Sequence, residues 1–196
     1  MQESIKKPRS FSSVDISIKC VIVGDLQARK NELLYSYVDP AERSLENYIP
    51  WIVDNYCKKI QINNRTISLT MWDTSGQEDL SALRQLSYKN VDVIFILFNV
   101  FDKTSFENAL YKWYAEVSER SEIMIIFLGN CDKPAEMEKD IWVPDAKKIF
   151  AEKGLIYLEC PNLSPDIITK AITDSIAIYI DRMDHKIKNK KKCVLI

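Results

Sequence analysis

Two nearly unbroken apolar runs constrain this chain more than any other feature. Val91 to Val100 reads VDVIFILFNV, and Ile123 to Leu128 reads IMIIFL. Runs of this kind have no polar face for water, so they fit central strands covered on both sides by helices. The intervening segments can supply those helices. Thr104-Ser105-Phe106-Glu107 has capping-box spacing ahead of Leu110, Trp113, Tyr114 and Val117. Lys30 to Val38 has helical character, and Asp145 to Lys153 is a further helix with Gly154 as its stop. Ser164-Pro165 opens a last helix whose Ile168, Ile172, Ile176 and Met183 are expected to face the sheet.

Strand segments alternate with these helices. Ile18 to Val23 runs into Gly24, and Leu155 to Cys160 is the last strand. Tyr56 to Ile62 and Thr66 to Trp72 are joined across Asn63-Asn64, a pair that tolerates the positive φ of a tight hairpin. Pro40 to Asn55, with two prolines, reads as a loop. The expectation is an α/β fold around a mostly parallel sheet, with ligands at the carboxyl ends of the strands.

Composition narrows the function classes. The 196 residues suffice for one domain with a real core, and 46% apolar with 28% charged is ordinary for a globular protein. Net charge is −1, but the segment KIKNKKK near the end is strongly basic. General nucleic-acid binding therefore has no electrostatic support; the positive charge sits in a tail. The five cysteines are scattered with no C-x-x-C pair, which points to reduced thiols rather than zinc or a disulfide framework. No run is long enough to span a bilayer. Residues 1–16 read as a polar, Ser-rich extension, 17–183 as the domain and 184–196 as a basic tail.

The chemistry concentrates in Trp72 to Tyr88, WDTSGQEDLSALRQLSY. A strand ending in Asp73, then a small-residue turn through Gly76, places a carboxylate and a bare N–H at one sheet edge, which suits Mg²⁺ and a phosphate. Leu80, Leu83 and Leu86 follow at a spacing that suits one face of a short helix. The stretch resembles the Asp-x-x-Gly-Gln switch of Ras-like small GTPases, and its continuation resembles the Rho family. That resemblance covers nearly the whole chain and implies a small-GTPase P-loop fold. It also implies GTP/GDP and Mg²⁺ as ligands. Asp132 to Leu155 is too short for the extra helix Rho proteins carry.

The resemblance can be carried residue by residue. Gly24-Asp-Leu-Gln-Ala-Arg29-Lys30-Asn31 stands where G-x-x-x-x-G-K-[ST] should cradle phosphates. Gly24 and Lys30 match. The second Gly is Arg29, the Mg²⁺-binding hydroxyl is Asn31, and Leu26 replaces a further Rho glycine. Arg29 brings a Cβ to a close backbone approach, and its charge could offset that by pairing with phosphate. Taken alone, Gly24 reads first as a plain strand-to-helix turn; the rest of the chain favours a phosphate loop. Tyr48 to Tyr56 resembles the Rho first switch, but Trp51 replaces the Thr that meets Mg²⁺, and an indole N–H cannot ligate a cation. Trp51 could serve a partner surface or pack inside a closed loop. Ser44 falls near the place of the family's guanine-stacking Phe.

Gln77 matches the residue that orients the attacking water, but it cannot act without a γ-phosphate held in line. In the base-reading loop Asn130 fits, Cys131 replaces a Lys, and the acid sits one residue early at Asp132. Asn130 and Asp132 read as base contacts or equally as a capped turn. Asn162 retains the backbone N–H that would meet the guanine oxygen. The candidate nucleotide residues are thus Gly24, Lys30, Asn31, Asp73, Gly76, Asn130, Asp132 and Asn162. Asn31 and Asp73 are the candidate Mg²⁺ ligands, and Gln77 the candidate catalytic group.

Cys193-Val-Leu-Ile196 is a C-a-a-X box behind five lysines, and its apolar last residue leans toward geranylgeranyl. A prenyl chain plus a basic patch would anchor the chain to the cytoplasmic face of a membrane. Effectors or regulators would meet Tyr48–Tyr56 and Gly76–Tyr88. Two readings follow: a membrane-tethered, partner-binding Rho-like protein with nucleotide binding and hydrolysis weakened or lost, or a divergent but working GTP-hydrolysing switch.

Overall fold

The computed structural model describes residues 15–38, 53–74, 80–120, 122–131 and 145–193. Six strands form one sheet in the order β2-β3-β1-β4-β5-β6. They are β1 (Ile16–Val23), β2 (Val53–Ile62), β3 (Arg65–Thr74), β4 (Val93–Asn99), β5 (Met124–Asn130) and β6 (Ile156–Cys160). Only the β2–β3 pair is antiparallel. Asn63 and Asn64 close that hairpin with φ of 50° and 61°, the positive values such a turn demands. The pairing extends to Val53↔Thr74, so β2 takes up three residues read from sequence as loop.

Alternate residues of the central strands feed two cores. Ile18, Cys20 and Ile22 of β1, with Phe95 and Leu97 of β4, face α1 (Lys30–Val38) and α6 (Pro165–Cys193). Val21, Val23, Ile94, Ile96 and Phe98 face the opposite way, toward Tyr88, Phe106, Trp113 and Phe150. The unbroken apolar runs are apolar because both faces are dry. Phe98, Phe106, Phe127, Phe150 and Tyr157 interlock there, with Phe127 and Phe150 centroids 4.5 Å apart.

The second layer consists of α2 (Ser81–Ser87), α3 (Lys103–Asn108), a π-helical turn (Ala109–Trp113), α4 (Tyr114–Ser118) and α5 (Ala146–Glu152). Two sequence expectations change here, on α3 and α6. Helix α3 is capped by Asp102, whose Oδ1 accepts from the N–H groups of Thr104 (2.9 Å) and Ser105 (3.2 Å), so Thr104 is inside the helix. Ser105 instead turns its hydroxyl to accept from Asn99 N–H. In α2 the leucine face is turned to solvent. Leu83 and Leu86 are 43% and 72% exposed, and Arg84 is buried because it reaches a carboxylate on α4. On α6, Ile180 joins Ile168, Ile172 and Ile176 in the core, whereas Met183 is only half-buried.

Asp92 fastens the opposite end of the sheet. Its carboxylate accepts from Lys19 N–H (2.8 Å) and from the Tyr179 hydroxyl on α6 (2.9 Å). Helix α6 continues without a break across the 183/184 boundary to Cys193. No helix among the described residues is long and apolar enough to cross a membrane.

Candidate functional site

Every described nucleotide candidate lies at or just beyond the carboxyl end of a strand, whereas Cys193 ends α6. Gly24 and Lys30 follow β1, Asp73 sits next to the end of β3 beside Ile22, Asn130 ends β5, and Asn162 follows β6. Gly76, Gln77 and Asp132 lie outside the described residues, as do Ser44, Trp51 and the segment that would hold an insert helix.

The loop after β1 is built by sterics. Gly24 has φ of +146°, and a Cβ there would sit 2.2 Å from the Leu97 carbonyl oxygen of β4. Glycine is thus required by the neighbouring strand, whatever the loop binds. Leu26–Ala28 then form a single 3-10 turn, closed by Ala28 N–H on the Asp25 carbonyl at 3.1 Å. Arg29 adopts the left-handed conformation, φ 65° and ψ 39°. The backbone has therefore kept a conformation that suits glycine, while the side chain is not glycine. The guanidinium does not point away for an anion. It forks onto Glu32, with Nε at 2.8 Å and Nη2 at 2.5 Å. The expected compensation, charge offered to phosphate, is thus directed to a carboxylate on α1.

Lys30 opens α1 and is 5% exposed. Its ammonium donates to the Gly24 carbonyl (2.8 Å) and the Asp25 carbonyl (2.9 Å), wrapping the loop around itself. Burial pushes its pKa below the usual 10.5; the charges of Asp73 and Asp25 oppose that shift, and Arg84 adds to it. A cation held among loop carbonyls beside a carboxylate fits the phosphate end of a nucleotide, and α1 presents its N-terminus there. Asn31, half-buried in the first turn, and Asp73 are the described oxygen donors that could meet a divalent cation. Asn31 is the weaker partner, because an amide oxygen carries no charge. Thr74, next to Asp73, is spent structurally, its hydroxyl donating to the Ile22 carbonyl at 2.8 Å.

The residues expected to meet a base form a second, separate group. Asn130 is 1% exposed and its carbonyl accepts from Val100 N–H at 3.0 Å. Gly129 before it has no room for a side chain, since a Cβ would lie 2.5 Å from the Tyr157 hydroxyl. Cys131 N–H donates to the Cys160 carbonyl at 2.8 Å, tying β5 to β6. Where a Lys would flank a base, the Cys131 thiol is neutral, pushed up to about 11 by burial and the nearby Glu159. Asn162 uses its side-chain oxygen to accept from Ser164 N–H at 2.9 Å, a turn that launches α6.

Asp25, Asn108, Trp113 and Arg84 were not singled out from sequence as parts of the site. Asp25 is hydrogen-bonded by Asn108 Nδ2 (2.9 Å) and Trp113 Nε1 (2.8 Å), so the loop is tethered to the π-turn. The signal was available in principle: a Trp on a core-facing stripe still has an N–H to place. Against known families, the Ras family model matches residues 19–180 of this chain.

Proposed function

Because the chain belongs to the Ras family of small GTPases, whose members bind GTP or GDP with Mg²⁺, we propose that it is a Rho-like member acting mainly by binding partners. In this reading its own nucleotide binding and hydrolysis are weakened or lost. The observation that carries the proposal is Arg29. A non-glycine residue sits in the left-handed position of the phosphate loop, and its charge is committed to Glu32. Asn31 at the Mg²⁺ position, Trp51 in the first switch and Cys131 in the base loop weaken the same function in three further places. Partner binding has support in α2, which displays Leu83 and Leu86 to solvent. The lysine-rich end of α6 and Cys193 support a prenylated anchor at an anionic membrane, with geranylgeranyl the favoured chain. Gln77 is then a residue without a bound γ-phosphate to act on.

A working switch is the second reading, favoured by Lys30, whose buried ammonium sits on the loop carbonyls beside Asp73. Calorimetric titration of GDP with Mg²⁺ separates the two. The wild type is expected to give no resolvable heat, and the Leu26→Gly/Arg29→Gly/Asn31→Thr triple variant to bind. Tight binding by the wild type contradicts the proposal. For the anchor, the prenylated chain is expected to float with vesicles containing phosphatidylserine, and Cys193→Ser to remain in the soluble fraction. Equal flotation of both would refute it.

A further inference from the structure

We propose that Trp113 is a positioning residue that couples the phosphate loop to helix α2 through its two chemically different sides. The indole edge holds the loop: Nε1 donates to Asp25 Oδ1 at 2.8 Å. The indole face holds α2: the Arg84 guanidinium lies 4.9 Å from the ring centroid. Trp113 is 1% exposed and Arg84 3%, so ring and guanidinium are both shielded from water, while Asp25 is half-buried. Arg84 is in turn forked onto Glu116 of α4 at 2.8 and 2.9 Å, and the Tyr88 hydroxyl donates to the same carboxylate at 2.6 Å. Loop, ring, arginine and α2 therefore form one continuous chain of contacts around two buried side chains.

The π-turn supplies the geometry. Asn108 and Trp113 are five residues apart, which in a regular α-helix would aim them roughly 140° apart. Within Ala109–Trp113 the repeat is widened so that residues five apart share a face. Both donors can then reach the one carboxylate of Asp25. A wide turn at this position has a purpose that core packing alone does not require. A displacement of Asp25 must drag the indole, and a displaced indole must re-seat Arg84. The state of the loop is thereby transmitted to the helix that presents Leu83 and Leu86.

The inference goes beyond the proposed function, because its test reads backbone opening and not nucleotide binding. Hydrogen exchange is followed by mass spectrometry on the full chain, in peptides covering 24–33 and 81–88. Asp25→Ala removes the acceptor of the indole N–H but leaves Trp113, Arg84 and α2 themselves unaltered, and it is expected to speed exchange about ten-fold in the loop and about three-fold in α2. Asn108→Ala leaves the indole bond in place and is expected to speed the loop alone. Trp113→Phe, which keeps a ring under Arg84 but deletes the N–H, is expected to reproduce the Asp25→Ala pattern. Thermal melts identify any variant that fails to fold, and Asp25→Ala against Asn108→Ala decides the matter without Trp113→Phe. Faster exchange confined to the loop in Asp25→Ala would overturn the proposal. So would an equal response of α2 in Asn108→Ala, since loop loosening of any kind would then suffice.

Discussion

Arg29 occupies a glycine's conformation with an arginine's side chain. The left-handed backbone costs a residue with a Cβ about 1–2 kcal/mol, and its half-exposed pair with Glu32 returns under about 1 kcal/mol. Arg29→Gly removes both effects, so a urea melt is expected to move by under about 1 kcal/mol while the loop is cleared for phosphate. A loss of several kcal/mol would mean that Arg29 is a structural keystone. Gly24 is the opposite case. Its missing Cβ is demanded by the Leu97 carbonyl, so Gly24→Ala is expected to destabilise by more than about 2 kcal/mol in the same melt. Tyr37 is fully buried and its hydroxyl has no hydrogen-bond partner among the described residues. Tyr37→Phe is expected to be neutral or to stabilise by about 1 kcal/mol, read as a denaturant midpoint; a clear loss would reveal an unseen partner. The identity of Arg29 as a misfit was legible from its place in the motif. The direction of its guanidinium was not, because Glu32, one turn ahead, competes with any anion for it.

Among the elements, α2 departs furthest from its sequence pattern. Leucines at helical spacing predict a buried stripe, yet the helix buries Arg84 and Ser87 and displays Leu83 and Leu86. A charged fork onto Glu116 and the ring of Trp113 outweighed the apolar preference, and both partners lie about thirty residues on, in the π-turn and α4, where periodicity cannot see them. The long strands were legible because burial on both faces leaves a continuous apolar run. The cap of α3 lies two residues before the one the capping-box spacing predicts, because Asp102 and Thr104 are both good capping residues and only geometry separates them. Glu116 gives α2 a pH dependence. Burial works against its charge, but the hydrogen bonds from Arg84 and Tyr88 outweigh it and hold its pKa below the usual 4.5. A lowered carboxylate pKa contributes stability that is present above 4.5 and lost as the pH falls below it. Wild type is therefore expected to lose stability more steeply than Glu116→Gln below pH 4.5, although at neutral pH the variant is weaker by about 3 kcal/mol. Parallel acid limbs in chemical denaturation would contradict that role.

Over the whole molecule, the sheet has two dry faces and one functional edge. Cys20, Cys131 and Cys160 lie in or beside its central strands, and burial is the leading cause that raises each thiol above the usual 9.0, Cys131 to about 11 and Cys160 to about 12. A raised thiol pKa contributes stability that is complete below pH 9.0 and is lost as the pH rises through 11 to 12. Cys57 is exposed on β2, so iodoacetamide on the folded chain is expected to label it well before those three. Equal labelling of Cys160 would mean that β6 opens readily. The fold was legible because alternation, burial and turn chemistry agree along the chain. The function was less so, because phosphate, Mg²⁺ and base each depend on a few side-chain directions that local pattern does not specify. The nucleotide content of the purified chain bears most directly on the central claim. The protein is prepared in Mg²⁺, denatured, and its supernatant resolved by ion exchange, with Leu26→Gly/Arg29→Gly/Asn31→Thr prepared in parallel. An empty wild type beside a loaded variant is the expected result; one GDP or GTP per wild-type chain would contradict a weakened phosphate loop.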